Sequence, residues 1–259
     1  MTRNFKDQLG NSIDLSFPPQ RIISLVPSQT ELLFDLGLDE EIAGITKFCI
    51  HPADKCKEKS KVGGTKNVDF KKVTELKPDL IIANKEENSK AEIELLQKEY
   101  PVWISDIHDL NSALEMMKEV GGITGKEEEA AKLVYKIKDS FKELSFLNLR
   151  VAYFIWRKPY MTAGHDTFIH SMLSYAGFKN VFEPQQRYPV VDARALQKAN
   201  PDLIFLSTEP FPFSEKHIEE FQRICPKARV ILVNGEYFSW YGSRLVGAVE
   251  YFENLRKKL

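Results

Sequence analysis

One segment of this chain occurs twice, and the duplication limits the folds open to it. Residues 68–82, VDFKKVTELKPDLII, match residues 191–205, VDARALQKANPDLIF, without a gap at an offset of 123. Each copy reads as an aspartate N-cap, a short helix, a Pro-Asp turn and an apolar strand. A weaker echo links residues 32–38, LLFDLGL, with residues 172–178, MLSYAGF; each reads as a helix closed by a glycine. Order repeated at roughly 120–140 residues indicates two similar lobes, whereas solenoid repeats recur every 20–50 residues or so.

Between the copies lies the stretch Thr124–Leu147, TGKEEEAAKLVYKIKDSFKELSFL. It reads as one long helix. Thr124 and Glu127 form a capping box, and Glu127, Glu128 and Glu129 complement the helix dipole. Ala130, Leu133, Val134, Ile137, Phe141 and Leu144 make one apolar stripe. Such a helix spans roughly 35 Å. The expected domains are therefore an N-terminal lobe over 1–123, a connecting helix over 124–148 and a C-terminal lobe over 149–259. A stiff helix as the sole crossing permits only small rotation between lobes.

Strands alternate with helices through short links on both sides, which indicates parallel sheets. A hairpin is expected at Asp7–Leu15, then strands at Arg21–Val26, Ile42–Ile45, Leu80–Ala83 and Val102–Ser105, with His51–Lys61 a polar loop. The second lobe repeats the pattern, with strands at Arg150–Ile155, Val181–Phe182, Leu203–Leu206 and Val230–Val233. The fold class is α/β: two similar lobes with parallel sheets joined by one long backbone helix. Ligands of such sheets bind beyond the carboxyl ends of the strands, so the lobes are expected to face each other across a cleft.

Composition narrows the function. A chain of 259 residues with 43% hydrophobic and 28% charged residues can bury one large or two medium cores. The net charge of −1, with lysines interleaved among glutamates, gives no field for nucleic acid. No apolar run approaches the roughly 20 residues of a membrane span. Met1–Asp7 is followed by no apolar stretch, so a cytoplasmic location is expected as the sequence is written, and an extracytoplasmic one if a signal segment was trimmed. Cys49, Cys56 and Cys225 lack zinc spacing and read as reduced thiols. No nucleophile elbow, phosphate loop or dinucleotide motif is present.

The segment RIISLVPSQTELLFDLG (21–37), LKPDLII (76–82), Thr162-Ala163-Gly164 and GFKNV (177–181) resemble the class III, helical-backbone, substrate-binding proteins of ABC importers. These carry cobalamin, haem and iron–siderophore chelates. The resemblance runs from residue 7 to 259 and is strongest to the cobalamin-binding branch. It implies a non-enzymatic, monomeric binding protein for a metal chelate, with no built-in cofactor and an ABC permease as partner. In the relatives, aromatic residues at the lobe lips hold the corrin ring. By position these fall on Phe48, Thr65, Asn84, Tyr160, Tyr188 and the Glu236–Trp240 loop. Two of the tryptophan positions are occupied here by Thr65 and Asn84.

The residues themselves support a wall of this kind. Phe48, Tyr160, Tyr188, Tyr237, Phe238, Trp240 and Tyr241 lie in predicted loops, where rings either line a site or lid the core. The ligand-binding set is thus Phe48, His51, Tyr160, Tyr188, Glu236, Trp240 and Tyr241. His51 and His165 are candidates for axial coordination of a bound chelate. His165 and His170 do not share a helical face, and no metal site is expected. Arg157, Arg187 and Arg244 could meet anionic groups of a ligand.

The resemblance also implies docking glutamates on each lobe, at the first turn of the repeated helix. Lys71 and Arg194 stand there instead. Reversed charge favours a second reading, a cytoplasmic sensor or carrier that no longer docks on a permease. A third, an enzyme releasing metal from a chelate, would rely on His51, His165 or Glu236 as its acid–base group.

Overall fold

The computed structural model describes residues 1–141 and 145–259. Two compact units make up the chain. The first comprises Met1–Ile107, Asn111–Lys136 and Tyr241–Arg244; the second comprises His108–Leu110, Ile137–Trp240 and Leu245–Leu259. Residues 241–244 group with the first unit although both neighbouring segments group with the second, so a single helix is not the sole passage of the chain between units.

The first lobe opens with a hairpin, β1 (Thr2–Lys6) and β2 (Ser12–Ser16), paired antiparallel. Asp7 closes its turn, accepting hydrogen bonds from the Leu9 and Asn11 amides at 3.0 and 2.8 Å. Then follow β3 (Ile22–Ser24), α1 (Pro27–Asp35), β4 (Ile42–Ile45), α2 (Ala53–Glu58), β5 (Ser60–Lys61), β6 (Gly63–Gly64) and β7 (Asn67–Val68). The lobe continues with α3 (Phe70–Leu76), β8 (Leu80–Asn84), α4 (Lys90–Leu96), β9 (Val102–Ser105), α5 (Leu110–Thr124) and α6 (Glu127–Ser140). Five strands form an all-parallel sheet in the order β5-β4-β3-β8-β9. Ile23, Leu25, Val73, Ile81 and Ala83 are fully buried in its core. The segment expected as a loop at 51–61 holds α2 and β5 instead.

The second lobe contains β10 (Leu149–Trp156), β11 (Tyr160–Thr162), α7 (Phe168–Tyr175), β12 (Phe178–Asn180), β13 (Val190–Val191), α8 (Ala193–Ala199) and β14 (Leu203–Ser207). It ends with α9 (Ile218–Ile224), β15 (Arg229–Val233), α10 (Glu236–Ser239) and α11 (Ala248–Arg256). β12, β10, β14 and β15 run parallel, and β11 and β13 extend the sheet antiparallel. This sheet is therefore mixed. The expected strand at Val181–Phe182 lies at Phe178–Asn180, and β11 and β13 were not legible because each is only two or three residues long.

The sequence repeat is a structural repeat in detail. Asp69 and Asp192 cap α3 and α8, accepting from the Lys72 and Ala195 amides at 3.2 and 2.7 Å. Lys77 and Asn200 end the two helices in the left-handed conformation, with φ of 48° and 45°. Asp79 then accepts from the Gln20 and Arg21 amides, as Asp202 does from the Arg150 amide. Arg21 and Arg150 both donate to the carbonyls near their helix ends, Leu76 and Ala199, at 2.7 and 2.6 Å.

The long helix expected from Thr124 to Leu147 is not continuous. α5 runs through Gly121 and Gly122 to Thr124, whose hydroxyl donates back to the Val120 carbonyl at 2.6 Å rather than capping a new helix. Gly125 has a φ of +72°, a left-handed stop that an L side chain rarely adopts, and the Lys126 amide closes the turn on the Gly121 carbonyl at 2.7 Å. α6 starts afresh and ends at Ser140, a length of roughly 21 Å. Ala130, Val134, Ile137 and Phe141 of its stripe are buried and Leu133 is half-buried; Leu144 lies outside the described residues. Among the described residues no helix is long and apolar enough to cross a membrane.

α5 carries one poorly placed charge. Glu119 is half-buried, and its Oε2 has no partner among the described residues. Burial, with Glu115 and Asp7 nearby, pushes its carboxyl from 4.5 up to about 7. A raised folded-state value stabilises fully below pH 4.5, and that stability is lost as pH rises through 7. Glu119→Gln should therefore match the parent near pH 4.5 and be more stable at pH 8 by about 1 kcal/mol, roughly 2–4 °C in Tm; thermal melts at both pH values check this.

Candidate functional site

The carboxyl ends of parallel strands are where an α/β lobe can present side chains to a ligand without disturbing its sheet. In the first lobe those ends lead into Leu25–Pro27, Thr46–His51, Asn84–Asn88 and Ser105–Ile107. A buried polar network holds them. Gln29 donates to Ser105 Oγ at 2.5 Å, and Asn84 donates to the same oxygen at 2.9 Å. Asn84 also accepts from the Glu86 and Glu87 amides. Asn88 donates to the carbonyls of Leu25 and Thr65 at 3.1 and 2.9 Å. Asn84 is thus 2% exposed and a loop organiser, while Thr65 is half-buried and contributes its carbonyl.

Above this network the β4 loop presents Phe48, 51% exposed, with the Lys47 ammonium 5.2 Å from its ring centre. His51, in the same loop, is half-buried and within electrostatic reach of Glu31. Glu31, on α1, receives two hydrogen bonds from Arg244 at 3.0 and 2.6 Å, so the Tyr241–Arg244 segment is fastened to this edge. Burial raises the Glu31 carboxyl, against the pull of Arg244. Cys49 lies between the Thr30 and Thr46 hydroxyls at 3.1 and 3.2 Å, and burial raises its thiol; Cys56 is pushed up to about 11 for the same reason. All three cysteines are free, buried and protonated at neutral pH, the behaviour of packing residues.

In the second lobe, the ends of β10, β14 and β15 carry Trp156–Lys158, Ser207–Glu209 and Asn234–Glu236. Trp156 is 40% exposed and meets Phe211 edge-on at 5.7 Å. Tyr160 is half-buried; its ring packs on Phe221 at 5.0 Å and its hydroxyl donates to Glu220. Arg157 donates to the other Glu220 oxygen at 2.8 Å. Beside them a groove of about 700 Å³ is lined by Arg157, Pro159, Tyr160, Gln185, Val191 and Ala193 among others. Tyr188, half-buried, follows the segment that carries Gln185.

The remaining expected site residues sit differently. Trp240 and Tyr241 are each 6% exposed. The Trp240 indole donates to Glu209 at 2.9 Å, and the Ser239 hydroxyl donates to the same carboxylate. Glu236 is half-buried in the first turn of α10, its amide bonded to Asn234. His165 directs Nδ1 at the Gln185 and Glu183 carbonyls, 2.9 and 3.1 Å away, and so ties down the groove loop. Lys71 and Arg194 are exposed on the first turns of α3 and α8. Among the described residues no group of three or more His, Cys, Asp or Glu side chains is placed to hold a metal ion.

Sequence reasoning missed Trp156 and Glu220. A tryptophan directly before Arg157-Lys158-Pro159 at a strand end was the available signal for the first. Glu220 gave none, since a glutamate on an amphipathic helix is usually a solvated charge.

Comparison with known proteins places this architecture. The sequence profile described as periplasmic binding protein matches residues 22–223. An uncharacterized ABC transporter substrate-binding lipoprotein, YvrC of Bacillus subtilis, is 30% identical over 211 residues, covering 76% of this chain and 67% of its own. The vitamin B12-binding protein of Vibrio campbellii is 24% identical over 262 residues, covering 95% and 94%. The solved vitamin B12-binding protein BtuF of Vibrio cholerae superposes with a TM-score of 0.77 at 23% identity, over 93% of this chain and 100% of that one. A possible iron-binding periplasmic protein of Staphylococcus epidermidis gives 0.76 at 27% identity, over 93% and 98%.

The groove loop depends on one glycine. A Cβ on Gly164 would lie 2.3 Å from the Gln185 carbonyl oxygen and 2.8 Å from two backbone carbons of the same loop. Gly164→Ala should displace residues 185–187 and cost about 1–3 kcal/mol. A lowered Tm together with faster amide exchange in that loop is the expected result.

Proposed function

The chain belongs to the periplasmic binding protein family, and from that premise we propose that it captures a metal chelate of the corrinoid, haem or ferric-siderophore kind for an ABC importer, without catalysing a reaction. Among these a corrinoid is favoured, because relatives matched over nearly their full length are named vitamin B12-binding proteins. The observation that carries the reading is the exposure of two large rings, Phe48 and Trp156, at the carboxyl edges of the two sheets. Rings left in water at that edge gain about 25 cal/mol per Å² when a flat apolar face covers them, less the cost of immobilising the ligand. Tyr160 and Tyr188, both half-buried, add ring surface on the second lobe. Trp240 and Tyr241, each 6% exposed, present little ring surface, and Arg244 of the segment that follows them bonds Glu31.

The sensor reading suggested by Lys71 and Arg194 finds no support among the relatives, and neither does the cytoplasmic location read from Met1–Asp7. The family is periplasmic, and one relative is a lipoprotein. The basic pair instead suits a permease whose docking surface is acidic. Lys71 is 88% exposed, with Glu75 one turn on at 4.0 Å, a surface pair that a partner's carboxylate can replace.

Absorbance titration with cyanocobalamin, dicyanocobinamide, haemin and a ferric catecholate tests the ligand class. One of them should shift its spectrum on binding and stabilise the protein by about 2.7 kcal/mol at a hundredfold excess over Kd. Phe48→Ala and Trp156→Ala should each weaken that binding roughly tenfold, about 1.4 kcal/mol. No binding by any of the four would overturn the proposal.

A further inference from the structure

Glu220 touches none of the groove but holds two of its walls. One carboxylate oxygen accepts from the Tyr160 hydroxyl, and the other accepts from Arg157 Nε at 2.9 Å and Nη2 at 2.8 Å. Both partners line the groove; Glu220 does not. Its helix is firmly set. Phe221, fully buried, packs on Phe154 at 4.7 Å, Tyr160 at 5.0 Å and Phe213 at 5.8 Å. The pair is partly desolvated, with Arg157 and Glu220 side chains 31% and 26% exposed. A charge-assisted pair in that setting is screened less than one in open water.

The charge balance follows. The groove lining carries Arg157, Lys158 and Asp192, and its other walls include Pro159, Val190, Val191, Ala193 and Ala195. Asp192 is committed to capping α8. With Glu220 directly behind Arg157, the guanidinium is compensated and the cluster is formally neutral. His217, itself acted on by Lys216, also faces the Glu220 carboxylate.

We propose that Glu220 is a positioning and specificity-determining residue, which fixes Tyr160 and Arg157 and cancels the Arg157 charge, so that the groove accepts an uncharged, amide-edged chelate in preference to one edged with carboxylates. This rests on the reading that the ligand contacts this carboxyl edge. The same contact bears on the Tyr160 phenol: burial, together with Glu220, pushes it from 10.0 up to about 12.

The test compares the parent with Glu220→Gln and with the Arg157→Ala/Glu220→Gln double variant. The probes are dicyanocobinamide, which is uncharged and amide-edged, and haemin, which carries two propionates. Glu220→Gln keeps the shape and an acceptor oxygen but exposes the Arg157 charge. The affinity ratio should move about tenfold toward haemin, and the double variant should return it to the parent ratio. A residue that only supports the fold would weaken both probes alike, and an unmoved ratio overturns the proposal. In parallel, the Tyr160 phenol is titrated by ultraviolet absorbance, each protein being referenced to its Tyr160→Phe counterpart. It should fall below about 12 in Glu220→Gln, the part that burial raises staying in place. If neither probe binds the parent, the phenol alone decides the positioning role, and an unchanged phenol overturns it, while the functional reading is still judged by the full set of four ligands.

Discussion

Each lobe depends on an aspartate that ties the start of one strand to the start of its neighbour. Asp79 receives the Gln20 and Arg21 amides at 2.7 and 2.8 Å and returns its own amide to the Arg21 carbonyl. Asp202 does the same with Arg150, at 2.8 Å in each direction. These contacts fix the register of β3 against β8 and of β10 against β14. Register has no slack in a parallel sheet buried on both faces, since a slip of one residue reverses every side chain. With the amino ends aligned, the carboxyl ends come out level, and the loops that follow them share one edge.

What each lobe does with that edge differs. The first lobe uses short polar side chains, Gln29, Asn84, Asn88 and Ser105, to satisfy loop backbone in the dry interior, and leaves Phe48 outside. The second relies on carboxylates. Glu209 receives Trp240 and Ser239, and Glu220 receives Arg157 and Tyr160. Each carboxylate thereby converts a side chain that sequence alone would place in solvent or in the core into one with a fixed direction.

The repeat was legible because its signals are local: an aspartate three residues before the amide it caps, and a turn that ends the helix. The connecting helix was not, because Thr124-Gly125 can serve either end of a helix. A threonine hydroxyl caps the following turn or folds back on the preceding one, and here the left-handed Gly125 selects the second. Loop positions of Phe48 and Tyr188 followed from the order of elements; that of Tyr160 did not, since it opens the short strand β11. The burial of Trp240 did not, since Glu209 lies 31 residues earlier, and the Glu220 pairs span 60 and 63 residues. Contacts of that range come from topology rather than pattern, and no local period encodes them.

The proposal stands on a ligand covering the rings exposed at the carboxyl edge of a sheet. Hydroxyl-radical footprinting of the full chain, with and without a chelate that it binds, tests this directly. Oxidation of Phe48 and Trp156 should fall in the bound state, while exposed rings away from those edges, such as Tyr135, keep their reactivity. Full reactivity of Phe48 and Trp156 in a saturated complex, with protection elsewhere, would contradict it.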